Sequence, residues 1–195
     1  AIKILAMQYE TRFCSHCATP LALITQTEDS GDVQRLRCPA CGWTHWNNPT
    51  PVLAAIVEVA GRVLLARNAA WPVKMFALIT GFMEAGESPQ EGIAREVKEE
   101  TNLDVLSCSL VGAYEFIRMN QVIIAYHVVA EGEVRLSPEL VDYRLFDLPE
   151  LKCWPAGTGY ALADWLRTRG HEPVFFTAEE NAERRRGLDQ TPVKD

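Results

Sequence analysis

The glutamate-rich stretch GFMEAGESPQEGIAREVKEETNL, residues 81–103, places the strongest constraint on how this chain folds. It contains six glutamates against one arginine and one lysine. Ser88 and Pro89 are a typical helix start, and Glu91 is placed to complete a capping box with Ser88. At about 100° per residue, the apolar residues that follow share one side of the helix and three glutamates share another. The apolar side consists of Ile93, Ala94 and Val97, and the acidic side of Glu96, Glu99 and Glu100.

The acidic side of this helix has two interpretations. On a solvated surface helix, Arg95 forms favourable pairs with Glu91 and Glu99, each four residues away. Ion pairing does not account for Glu96 and Glu100, which repel each other at the same spacing. Carboxylates that converge on one patch are the ligands that a hard divalent cation requires. Helical periodicity leaves both a solvated face and a metal site open.

Four of the six cysteines form the pattern CxxC-x20-CxxC, as Cys14, Cys17, Cys38 and Cys41. Each CxxC turn can point two thiolates at one tetrahedral centre, so this spacing predicts a structural zinc site in a small ribbon of two knuckles. The alternative is a pair of disulfides in a secreted domain. Residues 1–13 lack the long apolar stretch of a signal peptide, so we expect a reducing cytoplasm and a zinc site.

The remaining composition is that of an ordinary globular domain, with 48% hydrophobic and 23% charged residues among 195. No apolar run approaches the length of about eighteen residues that would suggest a membrane span. The formal net charge of -7 disfavours non-specific binding of nucleic acid, because phosphate attraction needs clustered lysine and arginine. Any phosphate-bearing ligand would therefore need a local cation, for which a metal ion is the obvious candidate.

Turn signals and apolar runs divide the chain into three parts. We predict a lead-in and zinc ribbon over 1–48, a main domain over 49–170 and a C-terminal tail over 171–195. In the main domain, apolar and β-branched runs predict a hairpin joined at Ala60 and Gly61 and several later strands. A closing helix is predicted to begin at Thr158 and to stop at Gly170. Strands that surround two helices indicate an α/β or α+β sandwich.

The spacing within 81–103 resembles the Nudix box, G-x5-E-x7-R-E-U-x-E-E-x-G-U with U aliphatic. Eight of the nine defined positions match, and the one mismatch is Asn102 in place of glycine. The matching residues are Gly81, Glu87, Arg95, Glu96, Val97, Glu99, Glu100 and Leu103. Because the helix is expected to end at Asn102, a left-handed asparagine can replace that glycine.

The resemblance implies an α/β/α sandwich over about 50–170 and metal-dependent attack of water on a phosphoanhydride. Glu96 and Glu100 would then be the main ligands of Mg²⁺ or Mn²⁺, with Glu99 assisting. The backbone carbonyl of Thr80 would add a further ligand. Glu87 and Arg95 would pair and brace the loop before the helix. A bound metal would offset the charge of a pyrophosphate and lower the pKa of a bound water.

Members of this family also use an acidic residue from outside the box, as a base or an extra ligand. Glu139 and Asp142, in SPELVDYRLF, are the candidates for this role, and Glu115 is a third. Each of them also reads as an ordinary surface acid. Aromatic residues that could stack a base or flavin include Phe76, Tyr114 and Phe116, for which core packing is the alternative role.

A cysteine ribbon before the box resembles two groups within the family. The NADH pyrophosphatase branch shares the box entry TGFMEAGE, but it carries the signature S-Q-P-W-P-F-P-x-S after the box, where this chain has VGAYEFIRMNQVIIAYH. A second zinc-ribbon group, which includes ADP-ribose and FAD pyrophosphatases, lacks that signature and is more similar. We therefore expect hydrolysis of a pyrophosphate bond in a nucleoside diphosphate linked to another group.

Two alternatives accompany this expectation: an NAD(H) pyrophosphatase, and a ligand-sensing or nucleic-acid-binding regulator that has reused the fold. The complete set of box carboxylates argues against the regulator, because a binding module need not keep them. The expected partner is a small nucleotide substrate, with neither a membrane nor nucleic acid involved. A homodimer is expected from the frequency of dimers among related enzymes.

Overall fold

The computed structural model describes residues 12–29, 31–72 and 74–186. The chain divides into two compact units, with the boundary between Pro49 and Thr50. In the first unit, strands β1 (Ala22–Glu28) and β2 (Gly31–Arg37) form an antiparallel hairpin, and the short β3 (Thr44–His45) pairs with β2. One cysteine pair precedes the hairpin and the other lies between β2 and β3. This arrangement brings the two CxxC turns to the same end of the unit.

The second unit is built on a six-stranded mixed sheet with the order β7-β8-β4-β5-β9, in which β6 also pairs with β4. The strands of this unit are β4 (Thr50–Val59), β5 (Arg62–Asn68), β6 (Ile79–Phe82), β7 (Asp104–Phe116), β8 (Gln121–Glu131), β9 (Leu140–Phe146), β10 (Lys152–Cys153) and β11 (Val174–Phe175). The helices are α1 (Pro89–Thr101), α2 (Thr158–Thr168) and α3 (Ala178–Arg184). β4 and β8 run parallel, and the other pairings of this sheet are antiparallel.

The central strand β4 is buried on both faces, and each face is covered by a different helix. Leu53 and Val57 point to the side where Ile93 and Val97 of α1 pack. On the other side, residues of β4 and β5 pack against α2, including Leu162, Trp165 and Leu166. Helices therefore enclose the sheet from both sides, and the predicted α/β/α sandwich with its preceding ribbon is confirmed.

Several predicted elements are found where the sequence placed them. The β4–β5 hairpin turns at Ala60 and Gly61, both with positive φ (50° and 79°), which suits a tight turn between twisted strands. α2 begins at Thr158, as expected, and its last helical residue is Thr168. None of the helices within the described residues is long and apolar enough to cross a membrane.

The structure differs from the expected tail over 171–195. Its first part forms β11, which pairs with β10, and α3, which begins with a capping box between Thr177 and Glu180. Lys152 of β10 binds Glu180 at 2.7 Å, so α3 is attached to the main unit. Residues 187–195 of the expected tail lie outside the described part of the chain.

Candidate active site

The acidic helix α1 starts at the predicted capping box. The Glu91 amide donates to Ser88 Oγ at 3.3 Å, and the Ser88 amide donates to a Glu91 carboxylate oxygen at 2.8 Å. Pro89 occupies the first helical position, where its missing N–H costs nothing. These local contacts fix the first turn, and with it the direction in which the later glutamates point.

Asn102 ends the helix in the left-handed conformation, with φ 63° and ψ 3°. Its amide donates to the Lys98 carbonyl at 2.9 Å. Its side-chain Nδ2 donates to the Glu133 carbonyl at 3.2 Å, a contact that glycine cannot make. The expectation that asparagine replaces the family's glycine at this terminus is confirmed by this geometry.

Gly81 lies directly under the carboxylate of Glu96. A Cβ atom added at Gly81 would lie 1.9 Å from Glu96 Cδ and 2.1 Å from its Oε1, so the Glu96 carboxylate would have to move. Thr80, which precedes it, pairs with Ala54 of β4, so this backbone belongs to the rigid sheet. The glycine therefore lets a partly buried carboxylate rest on the main chain of β6.

Arg95 connects the loop before the helix to the acidic side. Its guanidinium makes a two-pronged ion pair with Glu87, with both N–O distances at 3.0 Å. Its Nη1 also reaches Glu96 at 2.9 Å and Glu99 at 3.1 Å. The Arg95 hydrogen bonds, followed by one from the Glu84 amide, hold the pKa of Glu87 below its usual value. The contact that the resemblance assigned to Glu87 and Arg95 is present.

Glu100 is the carboxylate with the most perturbed pKa on this side of α1. Burial, followed by the negative charges of Glu96, Glu139 and Glu99 in that order, raises its pKa to about 7. Burial also raises the pKa of Glu96, although its hydrogen bond with Arg95 opposes the shift. Carboxylates that resist ionisation in this way gain stability from a nearby cation.

Glu139 approaches this group because the segment 132–139 is attached to the end of α1. The Ser137 amide donates to the Glu100 carbonyl at 3.0 Å, and the Arg135 amide donates to the Thr101 carbonyl at 2.9 Å. The Glu139 carbonyl in turn accepts from the Ala69 amide at 2.9 Å. Main-chain hydrogen bonds on both sides thus position Glu139 beside Glu100.

Asp142 and Glu115 are not brought to this group. In β9, Arg144 faces the α2 side, where its guanidinium lies 4.6 Å from the Phe76 ring centroid. Asp142 is two residues earlier in the same strand, so it points to the same face and away from α1. Glu115 is exposed on the edge strand β7. Among the three acids predicted outside the box, Glu139 is the one whose charge raises the pKa of Glu100.

The three aromatic candidates are packed on the α2 side of the sheet. Phe76 is 6% exposed and belongs to the core beneath α2. The Tyr114 hydroxyl donates to Asp164 at 3.0 Å, and burial together with this acid raises the pKa of Tyr114 to about 12. Phe116 packs beside Tyr114 and carries the Arg118 guanidinium at 4.7 Å from its ring centroid.

Phe82 is an exposed aromatic residue that the sequence analysis did not single out. It follows Gly81 directly, its side chain is 59% exposed, and its carbonyl accepts from Arg95 Nη2 at 3.3 Å. Strand alternation places its ring on the face opposite Glu96. The alternation of side chains along β6 could have indicated this position, because Gly81 faces α1 and the next residue therefore faces the opposite side of the sheet.

The acidic group fits a hard divalent cation in its chemistry. Its donors are carboxylate oxygens, the ligands that Mg²⁺ and Mn²⁺ prefer. In the present arrangement Arg95 binds Glu96 and Glu99, so these oxygens are spread rather than gathered. Burial is the main cause of the raised pKa values of Glu96 and Glu100, and neighbouring carboxylates add to both shifts. A divalent cation would favour the ionised form of both groups.

The four ribbon cysteines form a compact metal-type group. Their Sγ atoms all lie within 4.8 Å of one another, with Cys14–Cys41 at 3.6 Å and Cys17–Cys38 at 3.5 Å. Tetrahedral Zn–S bonds of about 2.3 Å require S–S separations near 3.8 Å, which these distances approach. Hydrogen bonds with Thr19 lower the pKa of Cys17 to about 6, while burial and hydrogen bonds with the other cysteines raise that of Cys41 to about 12. The group fits zinc.

Three features together define a Nudix hydrolase domain. They are a sheet enclosed by two helices, a glutamate that lies over a glycine, and an acidic helix whose glutamates are bound by an arginine. Comparison with protein families shows that the chain belongs to the NUDIX domain family, whose model matches residues 48–166. Residues 12–47 match a second model, described as Nudix N-terminal. The predicted recognition of a Nudix hydrolase with an N-terminal zinc ribbon is confirmed.

Among individual proteins, the chain is similar to the NAD-capped RNA hydrolase NudC of Pseudomonas aeruginosa. The two are 30% identical over 147 residues, which are 74% of this chain and 51% of the relative. The chain thus spans about half the length of the curated relatives it matches. A NUDIX hydrolase from Nitrosomonas europaea has the same fold, with a TM-score of 0.69 and 28% identity over 85% of this chain and 97% of that one.

Proposed function

We propose that the protein is a divalent-metal-dependent pyrophosphohydrolase. Its substrate is a nucleoside diphosphate linked to another group, such as ADP-ribose, FAD or a similar dinucleotide. The observation that carries the proposal is the grouping of Glu96, Glu99 and Glu100 on one side of α1, with Glu139 close enough for its charge to raise the pKa of Glu100. An acidic group of this kind repels a pyrophosphate unless a cation lies between them, so the site suits metal-dependent chemistry.

In this proposal Glu96 and Glu100 hold Mg²⁺ or Mn²⁺, Glu99 assists and the Thr80 carbonyl adds a ligand. A bound ion supplies charge neutralisation and a lowered water pKa. Glu139 accepts the proton of the attacking water, whose oxygen bonds to phosphorus as the bridging P–O bond breaks. A nucleoside monophosphate leaves as one of the products.

Arg95 and Glu87 have a positioning role in the proposed reaction. Their two-pronged pair fixes the loop that follows Gly81, and the Arg95 Nη1 atom restrains Glu96 and Glu99. Removing the guanidinium would release these acids and increase the repulsion within the group.

The direct test is turnover of a nucleotide panel with Mg²⁺ or Mn²⁺, compared with an excess of chelator. We expect Glu100→Gln to lose more than about a hundredfold in kcat, since one of the main ligands loses its charge. Glu131→Gln, at the exposed end of β8, is the matched control and should keep full activity. Metal-independent turnover, or unchanged kcat in Glu100→Gln, would exclude the proposal.

A second candidate substrate is NAD(H) or an NAD-capped RNA. The name of the Pseudomonas aeruginosa relative favours it. The sequence VGAYEFIRMNQVIIAYH, in place of the signature of the NADH branch, favours ADP-ribose or FAD. Values of kcat/KM for ADP-ribose, FAD, NADH and an NAD-capped oligonucleotide decide between them.

We also make proposals on the zinc site, the cellular location and the oligomeric state. We propose that the four ribbon cysteines bind structural zinc and that the protein is in the reducing cytoplasm, where thiolates persist. We also propose that the protein forms a homodimer, which light scattering would test. A regulator that binds a nucleotide without hydrolysing it is the alternative in another class. Tight binding without turnover across the panel would favour that alternative.

A further inference from the structure

Three arginines surround Phe76 on the face of the sheet opposite α1. The Arg144 guanidinium lies 4.6 Å from the Phe76 ring centroid, and Arg184 Nη2 donates to the Phe76 carbonyl at 2.9 Å. Ala66 and Ala77 exchange both backbone hydrogen bonds at 2.9 Å. This antiparallel bridge places Arg67 opposite Phe76 in the neighbouring segment. We call Arg67, Arg144 and Arg184 the arginine cluster.

None of these arginines has a carboxylate partner among the described residues. The Arg67 Nε atom is buried and makes no hydrogen bond there. Asp142 lies directly opposite Arg67 in the β5–β9 pairing, yet the two side chains form no ion pair. Arg184 is half-buried, and the Phe76 carbonyl is the acceptor that it reaches.

Partnered arginines elsewhere in the chain make the contrast clear. Arg35, Arg95 and Arg169 each bind a glutamate at 2.7–3.0 Å. Arg144 is itself exposed and stacks on the Phe76 ring, whereas Arg67 and Arg184 are partly buried. A partly buried guanidinium has lost part of that solvation, so an unpartnered N–H group there costs free energy.

The charges around the cluster leave an excess of positive charge. Lys74 and Glu183 pair with each other and cancel. Glu180, on the same helix as Arg184, is bound to Lys152, and Asp142 forms no ion pair among the described residues. Arg184 is held rigidly, because its Cζ lies 4.0 Å from the Phe176 ring centroid. The cluster is therefore a preorganised cationic site in a chain whose net charge is -7.

We propose that the arginine cluster binds a phosphate group at a site separate from the acidic group of α1. Guanidinium forks match the oxygens of a phosphate, and each N–H bond to it is charge-assisted. The bound group is inorganic phosphate or the phosphate of a nucleotide. The site lies on the α2 side of the sheet, so it is additional to the proposed hydrolytic site and independent of its assignment.

Calorimetric titration in buffer without divalent metal tests the site. Under these conditions the carboxylates of α1 repel anions, so binding at the hydrolytic site is suppressed. We expect inorganic phosphate and AMP to bind the wild-type protein at millimolar or lower concentration. Arg144→Ala should weaken this binding about tenfold or more, the factor for one charge-assisted hydrogen bond. Arg62→Ala, at an exposed arginine that begins β5, should leave it unchanged.

A second variant, Arg67→Met, keeps much of the apolar stem and removes the buried Nε group. It should also weaken phosphate binding, and circular dichroism should show an unchanged fold. Tighter binding of AMP than of inorganic phosphate would identify a nucleotide as the ligand, and equal binding would identify free phosphate. Failure of both anions to bind, or equal effects of Arg144→Ala and Arg62→Ala, would overturn the proposal.

Discussion

Replacing Glu100 with glutamine should stabilise the metal-free protein above pH 7. Folding raises the pKa of Glu100 from 4.5 to about 7, because burial desolvates the carboxylate and neighbouring acids add negative charge. Between these two values the folded chain holds a proton that the unfolded chain has released. Stability of the wild-type protein therefore falls as pH rises from about 4.5 to about 7 and stays lower above that range.

The size of the effect follows from the same shift. A change from 4.5 to about 7 is about 2.5 pKa units, which corresponds to about 3.4 kcal/mol at 1.36 kcal/mol per unit. Because Glu100 is only partly buried, screening by solvent reduces the penalty to about 1–2 kcal/mol. Glutamine carries no charge and avoids it. For a unit of this size, we expect the melting temperature of Glu100→Gln to be about 2–8 °C higher.

Thermal unfolding at about pH 5 and about pH 8 measures this difference. The buffer should be freed of magnesium and manganese but contain no chelator, so that a zinc site is not stripped. The variant and the wild type should unfold at similar temperatures at the lower pH and diverge at the higher one. Added Mg²⁺ should stabilise the wild type and reduce the gap. A variant that is no more stable than the wild type at the higher pH would refute the reasoning.

Four further outcomes are expected. Gly81→Ala should lower kcat more than about a hundredfold while the fold persists, because its methyl group displaces the Glu96 carboxylate; wild-type kcat would contradict the seating of Glu96. Glu139→Gln should reduce kcat about a hundredfold and Asp142→Asn little, and the reverse order in steady-state kinetics would remove Glu139 from the site. Asn102→Ala should destabilise the protein by about 1 kcal/mol in urea titrations and Asn102→Gly by less, since only alanine strains the left-handed end. Elemental analysis should find about one zinc per chain, and less than about half would contradict the ribbon site.

Local sequence rules were sufficient for the helix and for the contacts at its ends. The capping box at Ser88 and the left-handed end at Asn102 depend on residues within a few positions of one another. The pairing of Glu87 with Arg95, which spans nearly the first two turns of the helix, was instead implied by the resemblance to the Nudix box. The capping contacts are specified by local spacing, so the sequence could predict them.

The acid outside the box required long-range information. Glu139 and Asp142 are three residues apart and equally acidic, yet they lie on different sides of the sheet. Their separation depends on where β9 begins and on a register shift at Arg67 and Asn68 in its partner strand. No sequence pattern predicts this register shift. The structure of the expected tail was also not predictable from local sequence, because contacts of Arg184 with the rings of Trp154 and Phe176 hold α3 in place.

The segment that carries Glu139 also completes the end of α1. Its amides satisfy the carbonyls of Glu100 and Thr101, which a helix leaves without partners inside itself. Most point substitutions in 132–139 leave the main-chain hydrogen bonds in place, so they should not move Glu139. An insertion or deletion of one residue would misalign both amides with their carbonyls and move Glu139 out of reach. The segment should therefore tolerate changes in composition but not in length.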